Sequence, residues 1–192
     1  MLYFFIIAGS LIRILSYNHV LPYIPNFAPI AAMALFGGVY LNKKYALAVP
    51  LVALFLGDIF IGTYNIYLMI AVYSSFLAIG LIGLWLKNNK NVANIIGASL
   101  FGSIIFFTIT NFAMWAIQPL MPQAIYPHTW QGLVMCYTMG LPFFRNTILG
   151  DLFYVGSMFG LAEFALFVAN NNKMRRAYLN DNHTDRMARK GL

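Results

Sequence analysis

The sequence predicts an all-α polytopic membrane protein with six transmembrane helices and a broken or re-entrant segment before the last of them. Three observations carry the prediction. Apolar residues make up 61% of the 192 and charged residues only 9%, where soluble domains average roughly 45–50% and 25%. The apolar residues fall in runs close to the roughly 20 residues that cross a hydrocarbon core. Ten of the twelve Lys and Arg sit between those runs or after them. A water-soluble surface cannot be built from this composition, which excludes a soluble enzyme and a nucleic-acid reader, and one cysteine cannot pair within its chain.

The expected spans, taken in order, are 1–17, 29–41, 45–62, 64–86, 92–118 and 144–169. The start lacks a basic segment ahead of its apolar run, so it is read as a span rather than a secretory signal. The second is short and needs extension or tilt to cross. Residues 119–143 contain Pro119, Pro122, Pro127 and Pro142. The apolar stretch 132–141 is too short to span, hence the expectation of a half-helix buried against protein. The whole reads as one transmembrane domain over 1–170 with a basic tail over 171–192. Lys and Arg flanking membrane helices stay in the cytoplasm. With six spans, Lys43 and Lys44, Lys87 and Lys90, and the tail all fall on one side, so both termini are expected in the cytoplasm.

Five ionisable residues lie inside expected spans, where charge is costly and marks either a site or a paired structural group: Arg13, Asp58, Arg145, Asp151 and Glu163. Asp58 and Asp151 come out at one depth, about 10 Å below the outer surface at 1.5 Å per residue, in the matching words Leu56-Gly57-Asp58 and Leu149-Gly150-Asp151. Arg13 and Arg145 fall in the same outer half, so the four are expected to form one polar layer. Outer aromatic and amide groups, among them Tyr23, Asn26, Trp115, Gln118 and Trp130, could wall a pocket above it, though Trp115 and Trp130 also suit an interfacial belt. Cys136 and Tyr137 lie in the stretch expected to be irregular, and Cys136 is either a small buried hydrophobe or a cavity-lining thiol. His19 and His128 lack metal-ligand spacing, so no cofactor or metal is expected. Small residues at i, i+4 (Ala34 with Gly38, Ala98 with Gly102, Gly156 with Gly160) suit close helix packing within the bundle.

The run Pro25-Asn26-Phe27-Ala28-Pro29-Ile30-Ala31-Ala32-Met33-Ala34-Leu35-Phe36-Gly37-Gly38, followed by Leu56-Gly57-Asp58, Thr110-Asn111-Phe112, Cys136-Tyr137 and Leu141-Pro142-Phe143-Phe144-Arg145-Asn146-Thr147, resembles a family of uncharacterised bacterial membrane proteins. That family is similar to the S components of energy-coupling-factor (ECF) vitamin transporters. The resemblance implies a protein of the bacterial cytoplasmic (inner) membrane that binds a vitamin or related micronutrient from outside and works against a transmembrane T subunit driven by two ATPases. It places the contact with that subunit on a face carrying Ala31, Ala34 and Gly38. The expected binding residues are Arg13, Asn26, Asp58, Asn111, Trp115, Cys136, Tyr137, Arg145 and Asp151.

Two other functions compete. Asp58 and Asp151 could serve as the carboxyl pair of an intramembrane aspartyl protease, although position 148 is Ile where the usual Gly-x-Gly-Asp word needs Gly. The chain could also be a structural membrane protein without a ligand. ATP hydrolysis by this chain is not expected, since there is no Gly-rich loop ending in Gly-Lys-Ser or Gly-Lys-Thr. The reading carried forward is a non-enzymatic binding subunit.

Overall fold

A computed structural model describes residues 2–20 and 24–190, with side chains over 7–20 and 24–174. Among the described residues there are six α-helices and no strand: α1 (Leu2–Tyr17), α2 (Ile30–Tyr40), α3 (Lys43–Ile61), α4 (Ile66–Leu86), α5 (Val92–Ala116) and α6 (Trp130–Lys190), with a 3-10 turn at Gln118–Leu120. The chain divides into two compact units, Met1–Gly156 and Ser157–Leu192.

In the first unit α2 is the centre. Its residues from Ile30 to Val39 are all buried, and a helix that is apolar all round is one that packs on every side. It contacts α1, α3, α4 and α5. The small residues of its sequence make this possible. A Cβ added at Gly38 would lie 2.2 Å from the carbonyl carbon of Gly83, and one at Gly37 would lie 3.2 Å from the carbonyl oxygen of Ala46, so the α2–α4 and α2–α3 backbones meet with no side chain between them. At Gly102 an added Cβ meets Ile79 of α4 at 3.3 Å, so this second small-residue pair also serves internal packing. The third does not serve packing within the first unit, because at Gly156 an added Cβ meets nothing within 4 Å.

Among the described residues, four helices are long and apolar enough to cross a membrane: Lys43–Ile61, Ile66–Leu86, Val92–Ala116 and the Trp130–Met174 part of α6. The six expected spans are thus four of spanning length and two shorter helices. With 11 residues, α2 reaches only about 16 Å at 1.5 Å per residue, against a core of roughly 30 Å. Lys43 and Lys44, in the first turn of α3, and Lys87 and Lys90, in the α4–α5 connection, lie at one end of the bundle, where the Lys90 ammonium sits 5.2 Å over the Tyr40 ring. The end opposite carries residues 18–20 and 24–29 and the connections 62–65 and 117–129. There Gly62 closes α3 with φ +115°, a conformation glycine adopts without strain, its N–H donating to the Asp58 carbonyl at 2.9 Å.

The expected break at 132–141 is corrected: these residues are the first turns of a continuous α6, which runs through Pro142. Thr129 starts the helix, its Oγ1 accepting from the Gly132 N–H at 3.2 Å. Over residues 140–151 the helix lies antiparallel to α5, Gly140 against Asn111, Phe144 stacked on Phe107 with ring centroids 4.4 Å apart, and Asp151 against Ser103. Proline removes one backbone donor, and neighbouring helices and hydroxyl side chains make that tolerable in a membrane helix. Gly132 marks no irregular backbone; a Cβ there would run into the Pro127 carbonyl, which folds back over the start of the helix.

In the second unit α6 continues to Lys190, with Leu161, Phe164, Phe167 and Met174 exposed. The expected boundary between apolar helix and basic tail, at 170 and 171, falls inside this unit. The side chains of Arg175, Arg176, Arg186, Arg189 and Lys190 lie outside the described residues.

Candidate functional site

Arg13 and Asp58 meet because α1 and α3 run side by side, joined one turn earlier by the Ser10 hydroxyl donating to the Ala53 carbonyl at 3.0 Å. The Arg13 guanidinium donates from Nη2 to Asp58 Oδ1 at 2.7 Å and from Nη1 to the Leu54 carbonyl at 2.9 Å. Tyr73 of α4 donates its hydroxyl to Asp58 Oδ2 at 2.9 Å. Both carboxylate oxygens are therefore engaged, and Asp58 is 1% exposed. Gly57 makes room for this pair, since a Cβ there would stand 3.0 Å from Arg13 Nη1. The result is a compensated charge pair, which is what a low-dielectric interior requires of buried ions.

Asp151 is buried to the same degree, at 3% exposure, with very different company. Its partner among the described residues is the Ser103 hydroxyl, 2.7 Å from Oδ2, and that hydroxyl also lies 3.1 Å from the Ser99 carbonyl. No cation stands beside it: the ion pair found among the described residues is Arg13 with Asp58. Gly150 has the role at Asp151 that Gly57 has at Asp58, letting the Phe27 backbone and ring come within about 3.1 Å of where a Cβ would be. The two matching Leu-Gly-Asp words thus share a physical reason, a glycine that admits a neighbour beside a buried carboxyl.

Between these two groups lies a cavity of about 320 Å³, reached by Arg13, Asn26, Thr147 and Asp151 and walled by Phe27, Tyr64, Phe76 and Phe106. Every helix of the first unit contributes to it, as does the 24–28 segment that lies over it. Tyr64, in the α3–α4 connection, has its phenol pushed up to about 12 by burial and by the charge of Asp58, so it presents a neutral hydroxyl. A neighbouring cavity of about 290 Å³ shares Asn26, Tyr64, Phe106 and Thr147 and extends along α5 and α6 to Asn111 and Gly140. Phe27 is fixed above the cavity by its packing on Phe153 and Tyr154 at 5.8 and 5.4 Å between centroids.

Of the nine residues expected to bind, Arg13, Asn26 and Asp151 line the main cavity, Asp58 holds Arg13, and Asn111 lines the annex. Three others lie apart from these cavities. Trp115 stacks on His128 at 4.4 Å and donates to the Pro127 carbonyl at 3.2 Å. Cys136 is 2% exposed, its thiol against the Asn111 carbonyl at 3.4 Å. Tyr137 donates to the Thr108 carbonyl at 2.7 Å and borders a separate groove with Phe107 and Trp130. Arg145 is exposed and does not join the polar layer, because the 120° it stands from Asp151 around α6 carries it off the packed face. Gln118, expected as a pocket group, is buried and organises the 117–129 connection, its Oε1 accepting from the N–H groups of Ile125 and Tyr126 at 2.6 and 3.1 Å. Tyr23 lies outside the described residues.

Sequence reasoning missed Tyr73, Ser103, Thr147, Phe76 and Phe106. The first three are polar groups inside apolar runs, a signal that was present but unspecific. The last two are indistinguishable by type from any core aromatic. No group of three or more His, Cys, Asp or Glu able to hold a metal occurs among the described residues. The face carrying Ala31, Ala34 and Gly38 is buried inside the chain and offers no surface to a partner.

A family model described as a family of unknown function (DUF6580) matches residues 1–175, and the chain belongs to that family. No curated protein and no solved structure matches it.

Proposed function

We propose that this DUF6580 protein is a substrate-binding membrane subunit for uptake of a vitamin or related micronutrient, similar in role to an ECF S component, in the bacterial inner membrane. Both termini are then cytoplasmic, and the cavity opens to the outer half of the bilayer. The observation that carries the reading is the cavity itself. It is mostly aromatic and aliphatic, has a few convergent polar groups, and its volume of about 320 Å³ falls at the lower end of the roughly 300–1,000 Å³ of small-molecule sites. It lies toward the end of the bundle opposite the basic connections, which on the positive-inside rule is the outer end.

The competing protease chemistry finds less support. An aspartyl pair shares a proton between adjacent carboxyls, whereas both Asp58 oxygens are taken by Arg13 and Tyr73 and Asp151 turns to Ser103. A purely structural role accounts for the Arg13–Asp58 pair but leaves the cavity, with Asp151 at its wall, unused. If a T subunit with its ATPases energises uptake, its contact has to be a surface other than the buried Ala31, Ala34 and Gly38 face. The test is mass spectrometry of small molecules released from detergent-purified protein. A stoichiometric molecule, lost when Thr147 is replaced by a bulkier Phe, is the expected result. Protein that carries no such molecule and confers no uptake when expressed would remove the reading.

A further inference from the structure

The ligand class follows from the charges around the cavity, and rests on the small-molecule-binding reading above. The Arg13 guanidinium spends its charge on Asp58 and a donor on the Leu54 carbonyl, so although it borders the cavity it has no unbalanced charge to offer an anion. Asp151, the carboxylate in the cavity lining, meets one neutral hydroxyl and no cation among the described residues. Its Oδ2 is taken up by Ser103, and its carboxyl is part of the cavity lining. Burying a carboxylate without a counter-ion is costly, and here the protein supplies none. The cavity is walled by the rings of Phe27, Tyr64, Phe76 and Phe106, and the negative π face of an aromatic ring attracts a cation and repels an anion.

We infer that the cavity takes an organic cation, an ammonium or protonated nitrogen group on an apolar or aromatic body, with Asp151 as its counter-ion. Asn26 and Thr147 remain for neutral polar groups of the same molecule. The Arg13–Asp58 pair is the compensated floor that keeps the net charge of the site at that of one carboxyl.

The test uses three probes of one shape, 2-phenylethylammonium, 2-phenylethanol and 3-phenylpropionate, titrated calorimetrically into the full-length protein in detergent at neutral pH. The ammonium should bind on the order of tenfold or more tighter than the alcohol, with the carboxylate weakest. Asp151→Asn should abolish the preference for the ammonium, bringing its affinity down to about that of the alcohol. If that variant does not fold, Ser103→Ala, which leaves the carboxyl in place without its hydroxyl partner, should keep the ammonium preference or strengthen it. Equal binding of ammonium and alcohol, or a lead for the carboxylate, overturns the inference while leaving a small-molecule site intact. Binding of none of the three also overturns it, and the co-purification experiment then decides separately whether the cavity binds anything.

Discussion

Replacing Asp58 with Asn should destabilise the protein far more than the same change at Asp151, although the two are equally buried and sit in matching words. At Asp58 the substitution leaves the Arg13 guanidinium facing a neutral amide 2.7 Å away, and the amide nitrogen can no longer accept from Tyr73. Removing one partner of a buried ion pair costs roughly 3–5 kcal/mol. Arg13 keeps 18% of its side-chain surface exposed, so the lower end, about 3 kcal/mol, is expected. At Asp151 no cation is stranded, and Asn still accepts from Ser103, which limits the loss to about 1 kcal/mol. For a chain of this size each kcal/mol is roughly 2–4 °C, so Asp58→Asn should lower Tm by on the order of 10 °C and Asp151→Asn by only a few. Thermal unfolding in detergent, followed by tryptophan fluorescence, reads both. The Arg13→Met and Asp58→Asn double variant should be less destabilised than the sum of the single changes. Equal melting of the two Asn variants, or strict additivity in the double, would refute the assignment of Arg13 and Asp58 as the compensated pair.

Other perturbations test the packing and the topology. Gly38→Ala places a methyl against the Gly83 backbone at 2.2 Å and should cost at least about 2 kcal/mol from overpacking. Gly156→Ala meets open space and should be neutral or stabilising by up to about 1 kcal/mol from helix propensity; a reversed order would show that α2 and α4 do not meet as described. Gln118→Ala releases the N–H groups of Ile125 and Tyr126, so hydrogen exchange at those amides should quicken at least about tenfold while α5 is unchanged. Cysteines introduced at Lys43 and Lys87 should react with an impermeant thiol reagent from one side of the membrane and one at Gln123 from the other, with Cys136 silent because it is buried; labelling of Lys87 and Gln123 positions from the same side would contradict the arrangement of the connections.

Composition and long apolar runs were enough to settle the helical class, the approximate limits of α3, α4 and α5, and the gathering of the basic residues between helices or beside their ends, because each is a local property. An apolar run of about twenty residues commits its backbone to a helix in any apolar surroundings, and a Lys is kept out of hydrocarbon wherever it occurs. Arg13, Asp58 and Asp151 stood out as candidates for the same reason: charge in an apolar run is conspicuous whatever it touches. What the neighbours decide could not be read this way. Whether residues 132–141 end in a break or continue as helix depended on α5 lying alongside to pack Gly140 and Phe144. Whether an eleven-residue apolar helix crosses or is enclosed depended on four other helices closing round α2. The difference between Asp58 and Asp151 is of the same kind. Their local words are alike, and only the three-dimensional arrangement delivers an arginine to one and leaves the other with a serine hydroxyl and a cavity, since charge compensation acts through space between segments far apart in the chain.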